Sequence, residues 1–163
     1  LRLVPKKRKF LVKLWTETNL YFQDYFKGKF IEVLVVSISG SLLFYLLGLN
    51  SPALLGITLG FSQLIPFFGP VFMTVPILIV SLAQFGLDPW VLVLLFSFAV
   101  LQFIDGYIFL TFLMSCVVKL PAVIVLMSVF FFGALFGIWG VFFSVPLASF
   151  FKSLMDNWKL IDS

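Results

Sequence analysis

Residues 30–49 read FIEVLVVSISGSLLFYLLGL, a run of twenty residues in which Glu32 is the one charged side chain. A helix of this length spans the ~30 Å hydrocarbon core of a bilayer. The whole chain of 163 residues is similar, with 62% hydrophobic and 11% charged residues and a mean hydropathy of +1.17. Soluble domains contain roughly 45–50% apolar and about 25% charged residues. The composition therefore predicts an all-α integral membrane protein and excludes a soluble enzyme.

The segment before this span is amphipathic. Residues 10–27 place apolar and aromatic side chains on one helical face and charged ones on the other, after the basic run PKKRK at 5–9. We interpret residues 1–27 as a basic segment that lies along the cytoplasmic interface and turns into the membrane after residue 27. The alternative is a helix that packs on another part of the protein. The basic run is typical of the cytoplasmic side of a membrane protein, and no nucleic-acid partner is predicted.

A second apolar stretch, residues 52–83, is interrupted by Pro66, Gly69 and Pro70. The interruption leaves two arms of about 13 residues, too short for a comfortable crossing of the bilayer. We therefore expect a re-entrant hairpin of two half-helices. Two full crossings by these arms remain an alternative, because they would place Lys and Arg on the same sides of the membrane.

Two further apolar stretches follow, at residues 90–118 and 121–151. The first is long for one crossing, so we expect it to be tilted or locally broken near Asp105 and Gly106. The second has its own interruption, at three glycines that allow helices to pack closely or to hinge: Gly133, Gly137 and Gly140.

The sequence VFMTVP at 71–76 recurs as VFFSVP at 141–146, 70 residues later. This spacing indicates an inverted repeat, the layout of many secondary transporters. The lysines flank one set of helix ends, whereas the turns at 49–52 and 85–89 contain no Lys or Arg, so both ends of the segment are expected in the cytoplasm. The predicted parts are an interfacial segment 1–27, a transport domain 28–152 with repeat units 28–85 and 89–152, and a cytoplasmic tail 153–163.

Asp105 is the strongest functional candidate, because a charged Asp at the centre of a span costs ~2.5–3.5 kcal/mol on insertion scales. It should face a cavity or a partner, or be protonated. Gln102 lies on the same helical face and can bond a solute hydroxyl or the Asp105 carboxyl. The structural alternative is a polar clamp between helices.

The break at residues 65–70 is a second candidate site. Pro66 and Pro70 have no N–H group, so carbonyls upstream of them lack helical partners. Irregular backbone at membrane depth is tolerated where it is buried or lines a wet cavity. Together with Ser62, Gln63 and Gly69, the break predicts a site for a cation or a polar solute; the alternative is a simple kink.

Other residues give weaker signals. Glu32 can pair with Lys29 at spacing i,i+3 or extend to the membrane interface.

The chain contains no histidine and one cysteine, Cys116, which excludes most metal sites and histidine-dependent catalysis. One deep carboxylate does not make an aspartyl protease, so no enzyme, metal or cofactor is predicted.

Several of these motifs resemble the autoinducer-2 exporter family of bacterial membrane proteins, over roughly residues 20–155. The similar segments are YFKGK at 25–29, QLIPFFGP at 63–70, QFID at 102–105 and the glycine-rich stretch 133–152. The resemblance implies a polytopic permease of the bacterial inner membrane that is not driven by ATP, with members linked to autoinducer-2 export or sodium–proton exchange. This sequence departs from the family pattern after Asp105, at Tyr107, Thr111, Ser115 and Cys116.

The family's members are about twice this length, so the resemblance implies an absent N-terminal half as a partner. The bilayer, a proton, a small polar solute or cation, and a second copy of the chain are further candidate partners. The hypothesis is a secondary transporter in which Asp105 carries a coupling proton while Gln63, the 65–70 backbone and Gln102 contact the solute. The alternatives are a sodium–proton antiporter and a structural membrane module without transport activity.

Overall fold

The computed structural model describes residues 5–65, 68–112 and 122–162, with side chains described for 12–65, 68–108 and 123–155. Over these ranges the regular structure is helical and contains no strand. The helices are α1 (Pro5–Leu46), α2 (Pro52–Ser62), α3 (Phe68–Phe85), α4 (Trp90–Phe112) and α5 (Ala122–Asp162).

Four of these helices are long and apolar enough to cross a membrane. They are α1, α3, α4 and α5, and they leave many large apolar side chains exposed, as helices facing lipid do. The prediction of an all-α, multi-pass membrane protein is confirmed. α2 is short, with 11 residues, whereas α3 has 18 and is longer than the predicted half-helix. The re-entrant depth of this helix pair and the inverted repeat stay predictions.

α1 is one continuous helix of 42 residues. The predicted turn after residue 27 is therefore wrong, because the helix continues through Gly28. A glycine inside a helix costs only about 1 kcal/mol. Gly28 is buried, and packing of the flanking residues outweighs that cost.

α4 is likewise continuous through Asp105 and Gly106, so the predicted local break at these residues is wrong. The Asp88 carboxylate accepts a hydrogen bond of 2.7 Å from the Trp90 backbone N–H and caps the start of the helix. The alternative, a tilted helix, stays a prediction, and residues 113–118 of this stretch lie outside the described residues.

The chain divides into two compact units. Unit 2, Gly28–Thr111, contains the C-terminal part of α1 with α2, α3 and α4. Its buried core is formed by Val36, Phe44, Leu49, Leu55, Leu59, Met73, Ile77, Leu94 and Phe98. α1 and α2 approach closely, since a Cβ atom on Gly60 would overlap the Ser37 side chain and the Val33 carbonyl.

Polar bonds fix the turn between α1 and α2. Gln84 near the end of α3 donates to the Gly48 carbonyl at 2.6 Å and accepts from the Asn50 N–H at 2.7 Å. The Trp90 indole N–H donates to the Leu47 carbonyl at 3.2 Å. These bonds tie together one end of α1, α3 and α4 within unit 2.

Unit 1 contains Leu1–Lys27 and Phe112–Ser163. α5 is interrupted at Gly137, whose φ of 61° and ψ of −142° are not helical. A Cβ atom on Gly133 would lie 2.8 Å from Val141, although residues eight apart in a straight helix are about 12 Å apart. The two arms of α5 therefore fold back on each other at Gly137, one of the three glycines where an interruption was predicted. The depth of this hairpin in a membrane stays a prediction.

Contacts within unit 1 join the first part of α1 to α5. The Tyr25 hydroxyl donates to the Phe142 carbonyl at 3.4 Å, and the Ser153 hydroxyl donates to the Glu17 carboxylate at 2.7 Å. Residues 153–162 continue α5 as helix, so the segment interpreted as a cytoplasmic tail is ordered up to Asp162.

Candidate functional site

The candidate site begins with two charged side chains buried on α1. Lys29 and Glu32 are only 3% and 8% exposed, and the Lys29 Nζ lies 2.7 Å from the Glu32 Oε2. Residues three apart share a helical face, so the sequence spacing is sufficient to bring them together. The predicted pairing of Lys29 with Glu32 is confirmed, and extension of Glu32 to the interface is not what the structure shows.

The second part of the site is the main-chain carbonyl of Gln63, at the end of α2. α2 ends at Ser62, and the Gln63 N–H closes the helix by donating to the Gly60 carbonyl at 3.1 Å. Because the helix stops here, the Gln63 carbonyl needs a partner from elsewhere. The Lys29 ammonium donates to this carbonyl at 2.7 Å in a buried hydrogen bond. A positively charged group thus occupies the broken end of the helix.

The side chain of Gln63 extends the site to α4. Its Nε2 donates to the Gln102 Oε1 at 3.0 Å. The Gln102 Nε2 atom is itself buried and has no hydrogen-bond partner among the described residues. This amide N–H is therefore a donor available to a ligand.

Asp105 completes the cluster. It lies on α4 three residues after Gln102 and is partly buried. Its carboxylate interacts electrostatically with both Lys29 and Glu32. We name the five residues Lys29, Glu32, Gln63, Gln102 and Asp105 the polar cluster. With all its charged groups ionised, it carries one positive and two negative charges.

Two of the predicted site residues, Gln63 and Gln102, are thus joined by a hydrogen bond, and Asp105 follows Gln102 by three residues on α4. Ser62 directs its hydroxyl to the Leu59 carbonyl of its own helix at 2.6 Å. Gly69 lies so close to the end of α2 that a Cβ atom there would contact the Ser62 carbonyl. It therefore permits the two arms to meet.

The remaining predicted residues lie elsewhere. The Pro70 carbonyl accepts a hydrogen bond of 2.9 Å from the Thr74 hydroxyl, which satisfies a group at the start of α3. Pro66 lies outside the described residues. Gly106 is exposed, with nothing within 4 Å of an added Cβ atom, and the three glycines of α5 belong to unit 1.

Sequence reasoning missed Lys29 as a member of the site. Its place at the start of an apolar run is typical of the lysines that mark the cytoplasmic ends of helices, whereas the structure buries it within unit 2. The available signal was Glu32, since an acidic residue three positions away inside an apolar run needs a counter-charge.

The chemistry of the polar cluster suits a proton or a monovalent cation. It combines carboxylates, which can take up a proton, with a main-chain carbonyl at a helix break, a group that coordinates Na⁺ or H⁺ in many transporters. Across the part of the chain that the structure describes, no group of three or more His, Cys, Asp or Glu residues is placed to hold a metal ion.

Comparisons with known proteins match the sequence of the chain to transporters. The family described as "AI-2E family transporter" matches residues 1–160. The Escherichia coli (strain K12) protein named "Putative permease PerM" is 37% identical over 157 residues, covering 96% of this chain and 44% of that protein. "Putative transport protein YrrI" of Bacillus subtilis (strain 168) is 30% identical over 132 residues, covering 81% and 37% of the two chains.

A "Putative transport protein" of Thermotoga maritima is 33% identical over 143 residues, which is 83% of this chain and 41% of that protein. The chain thus spans less than half the length of these curated relatives. No solved structure matches it at a significant level. The family match over nearly the whole chain, with relatives at 30–37% identity, shows that the chain belongs to the AI-2E family of transporters.

Proposed function

We propose that the chain forms part of a proton-coupled secondary transporter that exports a small polar solute, of the class of quorum-sensing signals such as autoinducer-2. The observation that carries the proposal is the meeting of charged and amide side chains from α1, the α2 break and α4 inside unit 2. Ionisable residues at membrane depth are expensive and typically mark ion or substrate pathways.

The charge balance of the polar cluster supports a proton-binding role for Asp105. One ammonium, on Lys29, lies 2.7 Å from the Glu32 carboxylate and interacts electrostatically with the Asp105 carboxylate. Excess buried charge is unfavourable in a low-dielectric environment, so uptake of one proton makes the cluster neutral. Asp105 is the better proton carrier of the two acids, since Glu32 already has Lys29 at 2.7 Å.

The amide groups supply contacts for a neutral solute. The buried Gln102 Nε2 donor and the Gln63 side chain can bond hydroxyl or carbonyl groups of such a solute. A solute that replaces the hydrogen bond between Gln63 and Gln102 would couple its own binding to the separation of α2 from α4.

Sodium–proton antiport is the second candidate. It is favoured by the Gln63 carbonyl and the Glu32 carboxylate, which both contact the Lys29 ammonium, because main-chain carbonyls at broken helices coordinate Na⁺ in transporters. The third alternative, a structural module, predicts that flux does not depend on Asp105.

The proposed location is the inner membrane of a bacterial cell, with both ends of this segment in the cytoplasm. The lysine pattern at the helix ends supports this orientation. Protease protection of a tag at the C-terminus, in inside-out and right-side-out vesicles, tests it.

The decisive experiment measures solute and ²²Na⁺ flux under an imposed pH gradient, in proteoliposomes that contain the complete protein. Wild type is compared with Asp105→Asn, which keeps the size of the side chain and removes its titration. Asp88→Asn is the matched control, because Asp88 caps the same helix at an exposed position and Asn also caps helices well.

We expect solute flux driven by the pH gradient in wild type and Asp88→Asn, and flux uncoupled from the gradient in Asp105→Asn. Sodium flux without solute flux would favour the antiporter. Equal gradient-driven flux in all three proteins would refute the proton-carrying role of Asp105, and absence of any flux would favour the structural module.

A further inference from the structure

A main-chain carbonyl on the second arm of the α5 hairpin has lost its helical partner. α5 contains Pro146 in its interior. In a regular helix the N–H of residue 146 would donate to the carbonyl of Phe142, four residues earlier, and proline has no N–H group. Pro146 therefore leaves the Phe142 carbonyl without a hydrogen bond from its own helix. In a bilayer, such a group needs a donor from a neighbouring helix.

The Tyr25 hydroxyl of α1 is that donor. Tyr25 is 1% exposed, and its hydroxyl oxygen lies 3.4 Å from the Phe142 carbonyl oxygen, within unit 1. We propose that the Tyr25 hydroxyl and the Phe142 carbonyl form a latch that holds the α5 hairpin on α1. Pro146 creates the latch, because it keeps the carbonyl free for a donor from another helix.

The two arms of the hairpin are in close contact with each other. A Cβ atom on Gly140 would overlap the Phe132 carbonyl of the first arm. The rings of Phe132 and Phe151 are stacked, with their centroids 6.1 Å apart. We therefore expect the hairpin to approach α1 or leave it as one body, so that contacts between the hairpin and α1 decide its position.

The apolar contacts between the hairpin and α1 discriminate weakly between these two positions. The Phe26 ring lies 6.1 Å from the Phe142 ring and 6.3 Å from the Phe143 ring, measured between centroids. Lipid tails are as apolar as these rings, so lipid can replace such contacts at little cost. Hydrocarbon cannot replace a hydrogen bond, and polar contacts therefore contribute most to holding the hairpin in place.

The other polar contact between the two parts has an alternative. The Ser153 hydroxyl donates to the Glu17 carboxylate at 2.7 Å. When the hairpin leaves α1, this hydroxyl can turn to a carbonyl of its own helix, as the Ser149 hydroxyl does to Val145 at 2.7 Å. Glu17 still has Lys13 at 3.7 Å. The Phe142 carbonyl has no helical N–H to return to, so separation leaves this group unsatisfied.

The first test measures how often the hairpin leaves α1. Ser149→Cys places a thiol at a position on the second arm that is 2% exposed, in the complete protein with its other cysteines replaced. In detergent, the rate at which a thiol reagent modifies this cysteine reports the population of the open form. The rate is compared with and without Tyr25→Phe, which removes only the hydroxyl. Tyr45→Phe is the matched control, because Tyr45 lies on the same helix and is 70% exposed.

We expect Tyr25→Phe to raise the modification rate about 2- to 12-fold, the equivalent of ~0.5–1.5 kcal/mol for one hydrogen bond. The distance of 3.4 Å is longer than the usual ~2.7–2.8 Å of an O–H···O bond, so a value in the lower part of this range is expected. Tyr45→Phe should leave the rate unchanged.

The dependence on proline separates a latch from an ordinary packing contact. With Pro146→Ala, the N–H of residue 146 satisfies the Phe142 carbonyl, so adding Tyr25→Phe should change the rate less than about 2-fold. Pro76→Ala is the control for the proline, because Pro76 ends the similar sequence VFMTVP inside α3. In that background the effect of Tyr25→Phe should persist.

A second measurement does not need the introduced cysteine. The unfolding equilibrium constant in mixed micelles is measured for Tyr25→Phe, Pro146→Ala and the double variant, which form a double-mutant cycle. We expect Tyr25→Phe to raise this constant about 2- to 12-fold when Pro146 is present, and less than about 2-fold in the Pro146→Ala background.

The latch is overturned if Tyr25→Phe is modified at the wild-type rate. It is also overturned if Tyr25→Phe has the same effect with and without Pro146→Ala in both measurements, since Tyr25 would then stabilise the fold independently of the proline. Neither measurement involves flux or Asp105. Their outcome is therefore separate from that of the transport experiment.

Discussion

The buried pair of Lys29 and Glu32 predicts an asymmetry between two single substitutions. Lys29→Met removes the one positive charge that faces both carboxylates, whereas Glu32→Gln leaves Lys29 with Asp105 and with its hydrogen bond to the Gln63 carbonyl. The structure therefore predicts that Lys29→Met is the more damaging change.

The magnitudes follow from burial. The two side chains are 4% and 6% exposed, so solvent screens the charge left behind very little. Removing one partner of a buried ion pair costs about 3–5 kcal/mol, the value expected for Lys29→Met. Glu32→Gln removes a charged hydrogen-bond acceptor while Asp105 and Gln63 still stabilise the ammonium, so about 1.5–3 kcal/mol is expected.

The exposed pair of Lys13 and Glu17 provides the control, because its atoms are 3.7 Å apart and its side chains are 55% and 31% exposed. Lys13→Met should cost less than about 1 kcal/mol. The free energy of unfolding is measured by titration of the complete protein with sodium dodecyl sulfate in mixed micelles, followed by circular dichroism. An equal cost for Lys29→Met and Glu32→Gln, or a larger one for Glu32→Gln, would refute the reasoning from charge balance.

Three further predictions concern other contacts. Gly60→Val should lower the free energy of unfolding by about 1–3 kcal/mol in the same assay, because the valine side chain would overlap α1. Gly106→Ala has open space around the added methyl group, so it should be neutral or stabilise α4 by up to about 1 kcal/mol. Gln102→Leu removes the acceptor of the 3.0 Å hydrogen bond from Gln63. The KM for solute, measured by uptake into proteoliposomes, should rise about 2- to 12-fold, the equivalent of ~0.5–1.5 kcal/mol. An unchanged KM would show that the solute binds elsewhere. Gln84→Leu removes two bonds, of 2.6 and 2.7 Å, from the turn after α1, and faster amide hydrogen exchange in that turn is expected without loss of the helices.

The helical membrane architecture could be predicted from composition and from the spacing of breaks. Long apolar runs allow few structures in a bilayer. The predicted break falls between α2, which ends at Ser62, and α3, which begins at Phe68 and contains Gly69 and Pro70 in its first turn. The interruption among the glycines of the last stretch was also predictable, and the structure places the non-helical residue at Gly137.

The continuity of two helices could not be predicted from local sequence. Gly28 in α1 and the Asp105–Gly106 pair in α4 are weak helix formers, yet both helices continue through them. A local penalty of about 1 kcal/mol is smaller than the free energy of packing that a long helix gains, and that packing is not visible in a single sequence.

The arrangement of the candidate site also depends on packing that a single sequence does not reveal. Gln63, Gln102 and Asp105 could be selected individually, because polar residues are unusual within apolar runs. Their proximity depends on how α2 packs against α1 and α4, so the hydrogen bond between Gln63 and Gln102 could not be predicted. Lys29 was missed because a lysine near the start of an apolar run is typical of the membrane interface.

The spacing of Lys29 and Glu32 also bears on how α1 enters the membrane. The two charges are three residues apart on one helix, so they can pair as soon as that helix forms, before α2 or α4 is synthesised. A helix that carries its own counter-charge presents a nearly neutral segment to the insertion machinery and avoids part of the cost of two separate buried ions. Moving Glu32 to another helix would keep the final ion pair and lose this advantage during biosynthesis.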